Sequence, residues 1–192
     1  AQTLFRQWFI EEAEDSWEEV DLPDVFEFKE GPGIRNWQYV EDGFPFINIR
    51  LIKKKEIDKS TANCVSYEEA NGKYSHFKLE EDDFVMSTSG TLGKNAIVRD
   101  YHLPLLLNTS VIRFRPKKSY LKCFMYQYLQ SRELTEYLLS AASGSVQLNF
   151  GPIHLKAIRL CLPSKKQLES FEMNCNSFYE KINHNYKSIQ TL

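Results

Sequence analysis

The most regular alternation of apolar and polar positions lies at the C-terminal end of the chain, in residues 163–192. Apolar side chains recur there in steps of three and four, with one Asn among them, which is the a and d spacing of a coiled coil. Ser164 and Gln167 stand just before the series in the spacing of a capping box, so we expect a helix to begin there. The helix is predicted to pair with another helix through Leu168, Phe171, Cys175, Phe178, Ile182, Asn185, Ile189 and Leu192. The alternative is a single amphipathic helix lying on its own domain.

Shorter apolar runs upstream alternate with Gly, Pro and Asn, which is typical of strands joined by turns. We expect strands in Phe44–Ile52, on both sides of an Asn71-Gly72 hairpin turn, in Asp83–Val98 around a Gly-rich turn, in Leu105–Phe114 and in Ala157–Leu162. One helix is predicted from about Tyr120 to Ala142, and the stretch up to Glu30 is expected to be a loop. The fold class is therefore α+β: a mixed, largely antiparallel sheet body with one central helix, followed by a long C-terminal coiled-coil-type helix.

Three segments follow from this pattern. Residues 1–10, with Leu4, Phe5, Trp8 and Phe9 on one side, resemble the end of a helix. Residues 11–162 form the body, and residues 163–192 form the coiled-coil helix.

Charge is distributed unevenly along the 192 residues. The net charge is −2, yet Ala1–Glu30 holds ten acidic and two basic residues, so the remainder carries a net charge of +6. A basic body fits a polyanionic partner, and the acidic lead is expected to face elsewhere. The Cys and His residues are scattered, which disfavours a zinc site and predicts a reducing, cytoplasmic setting. No apolar run is long enough to span a membrane.

Two local patterns imitate catalytic motifs. Ser89–Asn95 resembles a phosphate-binding loop, but its glycines are too close together and Asn95 replaces the magnesium-binding hydroxyl. Pro23–Lys29 imitates a metal-dependent nuclease motif, but two intervening residues are too few for the required hairpin. We find no other nucleophile, metal or dinucleotide motif, so we predict no catalytic residue, no metal and no cofactor in this chain.

Polar loops suited to nucleic acid remain. Arg, Asn and Gln side chains pair with base edges, Lys and Arg side chains bind phosphates, and Gly-rich segments allow a close approach of the backbone. For each loop taken alone, an ordinary surface turn is an equal alternative. The candidate DNA-binding residues are Arg35, Asn36, Trp37, Gln38, Asn48, Arg50, Lys53, Lys54, Lys55, Ser87, Thr88, Ser89, Thr91, Lys94, Ser145, Gln147 and Asn149.

The order of several segments resembles the specificity (S) subunit of type I restriction-modification enzymes. The matching segments are GPGIRNWQYVEDGFPFINIRLI, DFVMSTSGTLGKNAIV, LLLNTSVIRFRP, YLKCFMYQYLQS, AASGSVQLNF and LKAIRLCLPSKKQ, and AQTLFRQWF is similar to the end of the family's central helix. The resemblance implies a target recognition domain for duplex DNA and a distal conserved helix, here cut short, in the C-terminal half of such a subunit.

The resemblance also implies the partners. Methyltransferase (M) subunits, and through them restriction (R) subunits, would carry the chemistry and hold S-adenosylmethionine, ATP and Mg²⁺. Because little of the first helix is present, we expect the distal end of the last helix to self-associate. The rival functions are a small metal-dependent nuclease using the Pro23–Lys29 carboxylates and a pure helix-mediated interaction protein. Metal-dependent cleavage by the isolated chain would favour the first rival, and absence of DNA affinity at low salt would favour the second.

Overall fold

A computed structural model describes residues 1–90, 93–142 and 149–190, apart from the side chains of residues 142 and 190. The chain divides into two compact units. We call residues 1–27, 116–137 and 154–192 the helical unit, and residues 28–115 and 138–153 the sheet unit. The boundaries predicted from sequence at residues 10 and 162 concern functional segments and stay a prediction.

Both units contain helices and strands. The helices are α1 (Gln2–Arg6, continued by a π-helical turn, Gln7–Glu11), α2 (Leu22–Val25), α3 (Tyr67–Asn71), α4 (Lys122–Tyr128), α5 (Arg132–Ala142), α6 (Pro152–Lys156) and α7 (Lys165–Gln190). The strands are β1 (Glu18–Asp21), β2 (Phe26–Glu30), β3 (Phe44–Phe46), β4 (Ile52–Lys53), β5 (Glu56–Ile57), β6 (Asn63–Val65), β7 (Phe84–Ser87), β8 (Asn95–Ile97), β9 (Val111–Pro116) and β10 (Arg159–Leu162). The predicted α+β class with a long C-terminal helix is confirmed.

The core of the helical unit is aromatic. Phe5, Phe9, Phe124 and Phe171 come from α1, the π-helical turn, α4 and α7, and the centroids of their contacting rings lie 4.9–6.1 Å apart. Most of these pairs are edge-to-face or tilted, the arrangement that ring quadrupoles favour. The aromatic residues predicted on one side of the N-terminal segment therefore supply the packing that joins α1 to α7.

Local capping determines where the helices of this unit begin. The predicted box is present: Ser164 N donates to Gln167 Oε1 at 3.1 Å and Gln167 N donates to Ser164 Oγ at 3.4 Å. The single helix predicted from Tyr120 to Ala142 is wrong, because α4 ends at Tyr128 and α5 begins after Ser131. Ser131 Oγ accepts from Leu134 N at 3.2 Å, so this serine caps a new helix.

A four-stranded sheet in the order β2-β9-β7-β8 organises the sheet unit. β7 pairs antiparallel with both β8 and β9, with Val85 opposite Ala96 and Arg113, and Phe84 opposite Ile97 and Phe114. Buried side chains lie on both faces of β7, because Phe84, Val85 and Met86 are all inaccessible to solvent. A sheet covered on both faces is a rigid base for the loops at its ends.

The acidic lead was predicted as a loop, and this prediction is wrong. β1 pairs antiparallel with β10, and Leu22 N donates to Ile158 O at 2.9 Å. Leu22, Val25 and Phe26 are buried among the exposed acids. The three apolar side chains anchor this segment, while the carboxylates around them conceal the pattern in the sequence.

The strand predicted in Phe44–Ile52 is divided in two. Asn48 Oδ1 accepts from Arg50 N at 3.0 Å and begins a 3₁₀ turn, Ile49–Leu51, between β3 and β4. An Asx turn of this kind offers the backbone an alternative to the strand ladder.

The predicted Asn71-Gly72 hairpin turn is wrong, because both residues end a helix. Ser66 Oγ accepts from Glu69 N at 3.2 Å and caps α3, so Asn71 is its last residue and Gly72 follows it.

The strand predicted in Leu105–Phe114 is interrupted at Asn108–Ser110. Leu106 forms isolated bridges with Phe46 and Lys78, and β9 begins only at Val111. Ser110 has a φ of 67°, which no strand residue adopts. Two of the candidate DNA-binding loops lie against the turn that results.

Candidate nucleic-acid interface

The turn Asn108–Ser110 connects two of the predicted loops. Ile34 N donates to Asn108 Oδ1 at 3.3 Å, Thr109 N donates to Pro32 O at 2.9 Å, and Thr88 N donates to Ser110 O at 2.9 Å. The segment before Arg35 and the end of β7 thus lie against the same turn. Sequence reasoning missed Asn108, whose amide looks in the sequence like any polar loop residue.

Gly31 makes this approach possible. A Cβ atom at residue 31 would lie 2.4 Å from the backbone of Asn108, closer than any real contact. Glycine is therefore required at residue 31 for space, because any side chain there would clash with the backbone of Asn108.

The loop between β7 and β8 joins a third segment. Phe150 N donates to Thr88 O at 3.1 Å, and Ser89 forms an antiparallel bridge with Asn149. Gly90 has a φ of +67°, and a Cβ there would lie 4.0 Å from Ile49 Cδ1, in the turn between Asn48 and Arg50. The sheet unit therefore brings together four segments that are far apart in sequence, around residues 34–38, 48–50, 88–90 and 149.

Most of the predicted DNA-binding residues within the described ranges are accessible. Asn48 and Ser89 are half-buried. The exposed residues are Arg35, Asn36, Trp37, Arg50, Lys53, Lys54, Lys55, Lys94 and Asn149. Thr91, Ser145 and Gln147 lie outside the described residues, so their positions stay predictions.

Three predicted contact residues are internal instead. Gln38 is only 6% exposed, Ser87 0% and Thr88 1%. Gln38 Nε2 donates to Glu69 Oε1 at 2.6 Å and to the Tyr74 hydroxyl at 2.9 Å. Residue type suggested a base contact, but burial of polar groups requires internal hydrogen bonds, which Gln38 makes. The side chains of Gln38, Ser87 and Thr88 are therefore not accessible to DNA in this structure.

The buried Gln38 holds its exposed neighbours in place. Its Oε1 accepts from Arg35 N at 3.0 Å and closes the 3₁₀ turn Asn36–Gln38. Trp37, in the middle of that turn, is 82% exposed. A large aromatic side chain held on a fixed turn and left in water is typical of a binding contact, because leaving it exposed forfeits about 1.5–3 kcal/mol of burial.

The three consecutive lysines form a hairpin tip. β4 pairs with β5, with Lys53 opposite Glu56, and the two residues between them, Lys54 and Lys55, have φ angles of 50° and 67°. Two positive φ angles are typical of a type I′ turn, which Asn-Gly normally occupies. Lys53 Nζ lies 2.7 Å from Asp58 Oδ2, and this contact lowers the pKa of Asp58 well below its usual range. Lys54 and Lys55, at the tip of the hairpin, are both exposed.

A buried histidine supports the base of the hairpin. His102 Nδ1 accepts from Arg99 N at 2.9 Å, while its Nε2 contacts Glu56 Oε1 and the Tyr101 hydroxyl donates to Glu56 Oε2 at 3.3 Å. Burial opposes ionisation of Glu56, but the contacts with His102, Ile57 N and Tyr101 outweigh it and lower the pKa of that carboxyl. An ionised Glu56 therefore anchors β5 to the interior.

The charge of the sheet unit is nearly balanced, with thirteen basic and twelve acidic residues, against eleven and fourteen in the helical unit. Two of those bases, Arg99 and Arg113, are buried. The positive charge predicted for the body is thus concentrated locally, at the lysine hairpin and at Arg35, Arg50 and Lys94. Residues 1–27 of the acidic lead lie in the helical unit, and residues 28–30 lie in the sheet unit.

The positions predicted for helix pairing divide into two groups. Leu168, Phe171 and Cys175 are buried within the helical unit, where Phe171 packs on Phe5 and Phe9. The distal positions are exposed, at 55% for Phe178, 45% for Ile182 and 65% for Ile189, with Asn185 also in solvent. Leu192 lies outside the described residues. The helix thus lies on its own unit in its first turns and leaves an apolar stripe beyond them.

The nuclease alternative finds no support in the geometry. Asp24 is exposed on the one-turn helix α2, and Glu27 is exposed on β2. Within residues 1–90, 93–142 and 149–190, no group of three or more His, Cys, Asp or Glu residues is arranged to hold a metal ion. In the same part of the chain, no helix is long and apolar enough to cross a membrane.

Solved structures share the fold of this chain. An S subunit from M. genitalium matches with a TM-score of 0.57 at 17% identity over 99% of this chain and 46% of its own. The HsdS subunit from Thermoanaerobacter tengcongensis matches with a TM-score of 0.63 at 14% identity over 97% and 44%. A chain solved in a study of complex assembly and conformational transition of the type I R-M system matches with a TM-score of 0.65 at 16% identity over 99% and 45%. The fold is that of restriction-modification specificity subunits, and this chain spans less than half the length of those three.

The family follows from the sequence itself. The model of the type I restriction modification DNA specificity domain matches residues 14–172. The chain belongs to this family of DNA target recognition domains, as the resemblance predicted. No curated protein sequence matches it.

Proposed function

We propose that this chain reads one half of a bipartite target in duplex DNA as part of a type I restriction-modification complex, and that it is itself non-catalytic. The supporting observation is the convergence of four polar segments on the double-covered sheet of the sheet unit, in a chain of the DNA-specificity family. Methylation and ATP-driven cleavage would belong to M and R subunits, which would hold S-adenosylmethionine, ATP and Mg²⁺. Docking of the M subunits would use the helical unit.

Two groups of contacts with different roles support this proposal. Lys54 and Lys55, at the hairpin tip, are suited to phosphates, because lysine is a mobile point charge without base specificity. Arg35, Asn36 and Trp37 lie on a turn that the buried Gln38 holds in place. Arg and Asn can pair with guanine and adenine edges, and the ring of Trp37 can stack on or beside a base.

Loop exchange tests the assignment of the recognition surface. We would replace Arg35–Trp37, Ser89–Lys94 and Ser143–Asn149 with the corresponding loops of another specificity subunit and keep the buried Gln38, Ser87 and Thr88. Sequencing of methylated DNA from a host with the intact system should then show a changed half-site. An unchanged half-site with all three loops exchanged would contradict the proposal.

Salt dependence separates phosphate binding from base recognition. Lys54→Gln with Lys55→Gln should weaken binding equally on target and random duplex, and should flatten the log–log salt slope by about 0.9 for each phosphate that the variant no longer binds. Arg35→Ala should instead cost about 1–3 kcal/mol on the target and relax preference at one base pair. Lys181→Gln with Lys187→Gln, which removes the same charge from α7, is the control. Equal effects of the two lysine pairs would show that only net charge matters, and absence of DNA affinity at low salt would favour a pure helix-mediated interaction protein.

A further inference from the structure

The helical unit contains a second surface, and its chemistry is unsuited to DNA. A cavity of about 550 Å³ opens between the N-terminal segment, α4, the start of α5 and β10. Its volume lies within the roughly 300–1,000 Å³ that ligand pockets occupy. Five aromatic residues are part of its lining: Phe5, Phe9, Trp17, Phe124 and Tyr128.

Carboxylates surround the opening of this cavity. Glu14, Asp15 and Glu133 line it, and all three are exposed. The one lining base, Arg159, lies 2.9 Å from Glu19 and 3.6 Å from Asp21, so acids outside the cavity already offset its charge. Burial, followed by the nearby Glu133 and Tyr137, raises the pKa of Tyr128 to about 12. The local potential is therefore negative, which repels phosphate.

A buried donor lies in the same wall. Trp17 packs edge-to-face on Phe9, with ring centroids 6.1 Å apart. Its Nε1 atom is buried and has no hydrogen-bond partner among the residues that the structure describes. A buried N–H without an acceptor is unfavourable, so a ligand whose carbonyl oxygen reaches Nε1 as the indole turns toward the cavity would relieve that cost.

We propose that this cavity binds an arginine side chain in a basic segment of a partner protein. The guanidinium group is planar, weakly hydrated and suited to stacking on aromatic faces, and carboxylates stabilise its charge. The peptide carbonyls on either side of the arginine supply the acceptor for Trp17 Nε1–H. This surface is separate in residues and in sign of charge from the polar loops of the sheet unit, so it is independent of the DNA-reading proposal.

The first test uses acetyl-arginine amide, which carries both the cation and the carbonyls, as a probe in ¹H–¹⁵N spectra of the whole chain. The indole N–H signal of Trp17, identified by its loss in Trp17→Phe, should move downfield on titration, while that of Trp37 stays in place. Acetyl-citrulline amide, which has the same shape without the charge, should bind at least several-fold more weakly. An unmoved Trp17 signal, equal binding of citrulline, or the same shift with inorganic phosphate would overturn the proposal.

Charge variants provide a second, independent test. Glu14→Gln, Asp15→Asn and Glu133→Gln together should weaken acetyl-arginine amide about tenfold, because three exposed carboxylates each contribute a modest attraction. The control is Asp24→Asn, Glu169→Gln and Glu180→Gln, which removes the same charge from elements of the helical unit that do not line the cavity and should leave the dissociation constant unchanged. Equal weakening by both sets would contradict the proposal, because net charge alone would then explain binding.

Discussion

The two halves of α7 have the same apolar spacing and opposite environments. Leu168, Phe171 and Cys175 are buried, whereas Phe178, Ile182 and Ile189 are 45–65% exposed. The first half meets the rings of Phe5 and Phe9, and Cys123 of α4 lies close to Glu172. Periodicity thus predicts which face of a helix is apolar, while burial depends on whether another element lies opposite that face.

The largest expected effect concerns association through the distal half. We predict that the exposed stripe pairs with the same stripe of a second copy in an antiparallel two-fold arrangement, with Asn185 fixing the register. A micromolar dissociation constant corresponds to about 8 kcal/mol, and Phe178→Glu with Ile182→Glu should abolish it. Light scattering against concentration is the measurement. Met173→Glu, exposed on the other side of the helix, is the control, and a wild-type monomer at high concentration would refute the prediction.

The next largest effect is a difference in unfolding free energy between variants of two phenylalanines on α7. Phe171→Ala removes a ring from the aromatic core and should lower the free energy of unfolding by about 3–5 kcal/mol. Phe178→Ala removes an exposed ring and should change it by less than about 0.5 kcal/mol in the monomer. Urea denaturation at a concentration below association measures both changes. Similar losses for the two variants would mean that the halves of α7 do not differ as described.

A smaller effect is expected where α7 supports α4. Glu172 Oε2 accepts from Cys123 N at 2.7 Å, so a side chain of α7 satisfies a free amide at the start of α4. Glu172→Ala should cost about 1–2 kcal/mol of unfolding free energy, as removal of a cap does. Glu169→Ala removes only an exposed i,i+4 ion pair with Lys165 and should lower the unfolding free energy by only a few tenths of a kcal/mol. Urea denaturation measures both variants, and equal losses of unfolding free energy would contradict the capping role of Glu172.

The smallest effect concerns the start of α7. Ser164→Ala removes the box with Gln167 and should cost about 1 kcal/mol or less. Ser177→Ala, at an exposed position inside the helix, should instead stabilise the protein by a few tenths of a kcal/mol, because alanine is the better helix former. Thermal unfolding followed by circular dichroism distinguishes the two signs. A stabilising Ser164→Ala would show that the box contributes nothing.

The sheet unit shows the limits of prediction for the site. Residue type selected Arg35, Asn36 and Trp37, which are exposed, yet it could not separate them from the buried Gln38, which belongs to the same polar run. The difference depends on Glu69 and Tyr74, more than thirty residues away. Asn108, which joins two loops, was missed for the same reason, since its hydrogen bond with Ile34 is not local in sequence.

The hairpin predicted at Asn71-Gly72 is absent and a hairpin that was not predicted is present at Lys54-Lys55, and each outcome has a physical reason. Asn71-Gly72 has the residues of a type I′ turn, but Ser66 caps a helix that ends there. The Lys54-Lys55 turn has no such residues, and its positive φ angles depend on β4 and β5, whose Ile52 and Ile57 are buried. On either side of Gly90 and Gly93, by contrast, the two predicted strands are present and pair with each other, and both glycines have a positive φ.

The sequence by itself determined the family, the α+β class, the start of α7 at its capping box and the apolar face of that helix, because these depend on order, composition and interactions between near neighbours. Only the tertiary structure decided which part of that face is covered, which polar residues are internal, and how four distant loops meet around Asn108–Ser110 and Gly90. Those outcomes depend on packing and hydrogen bonds between residues far apart in the chain, and a local pattern contains no information about the partner that a side chain will meet.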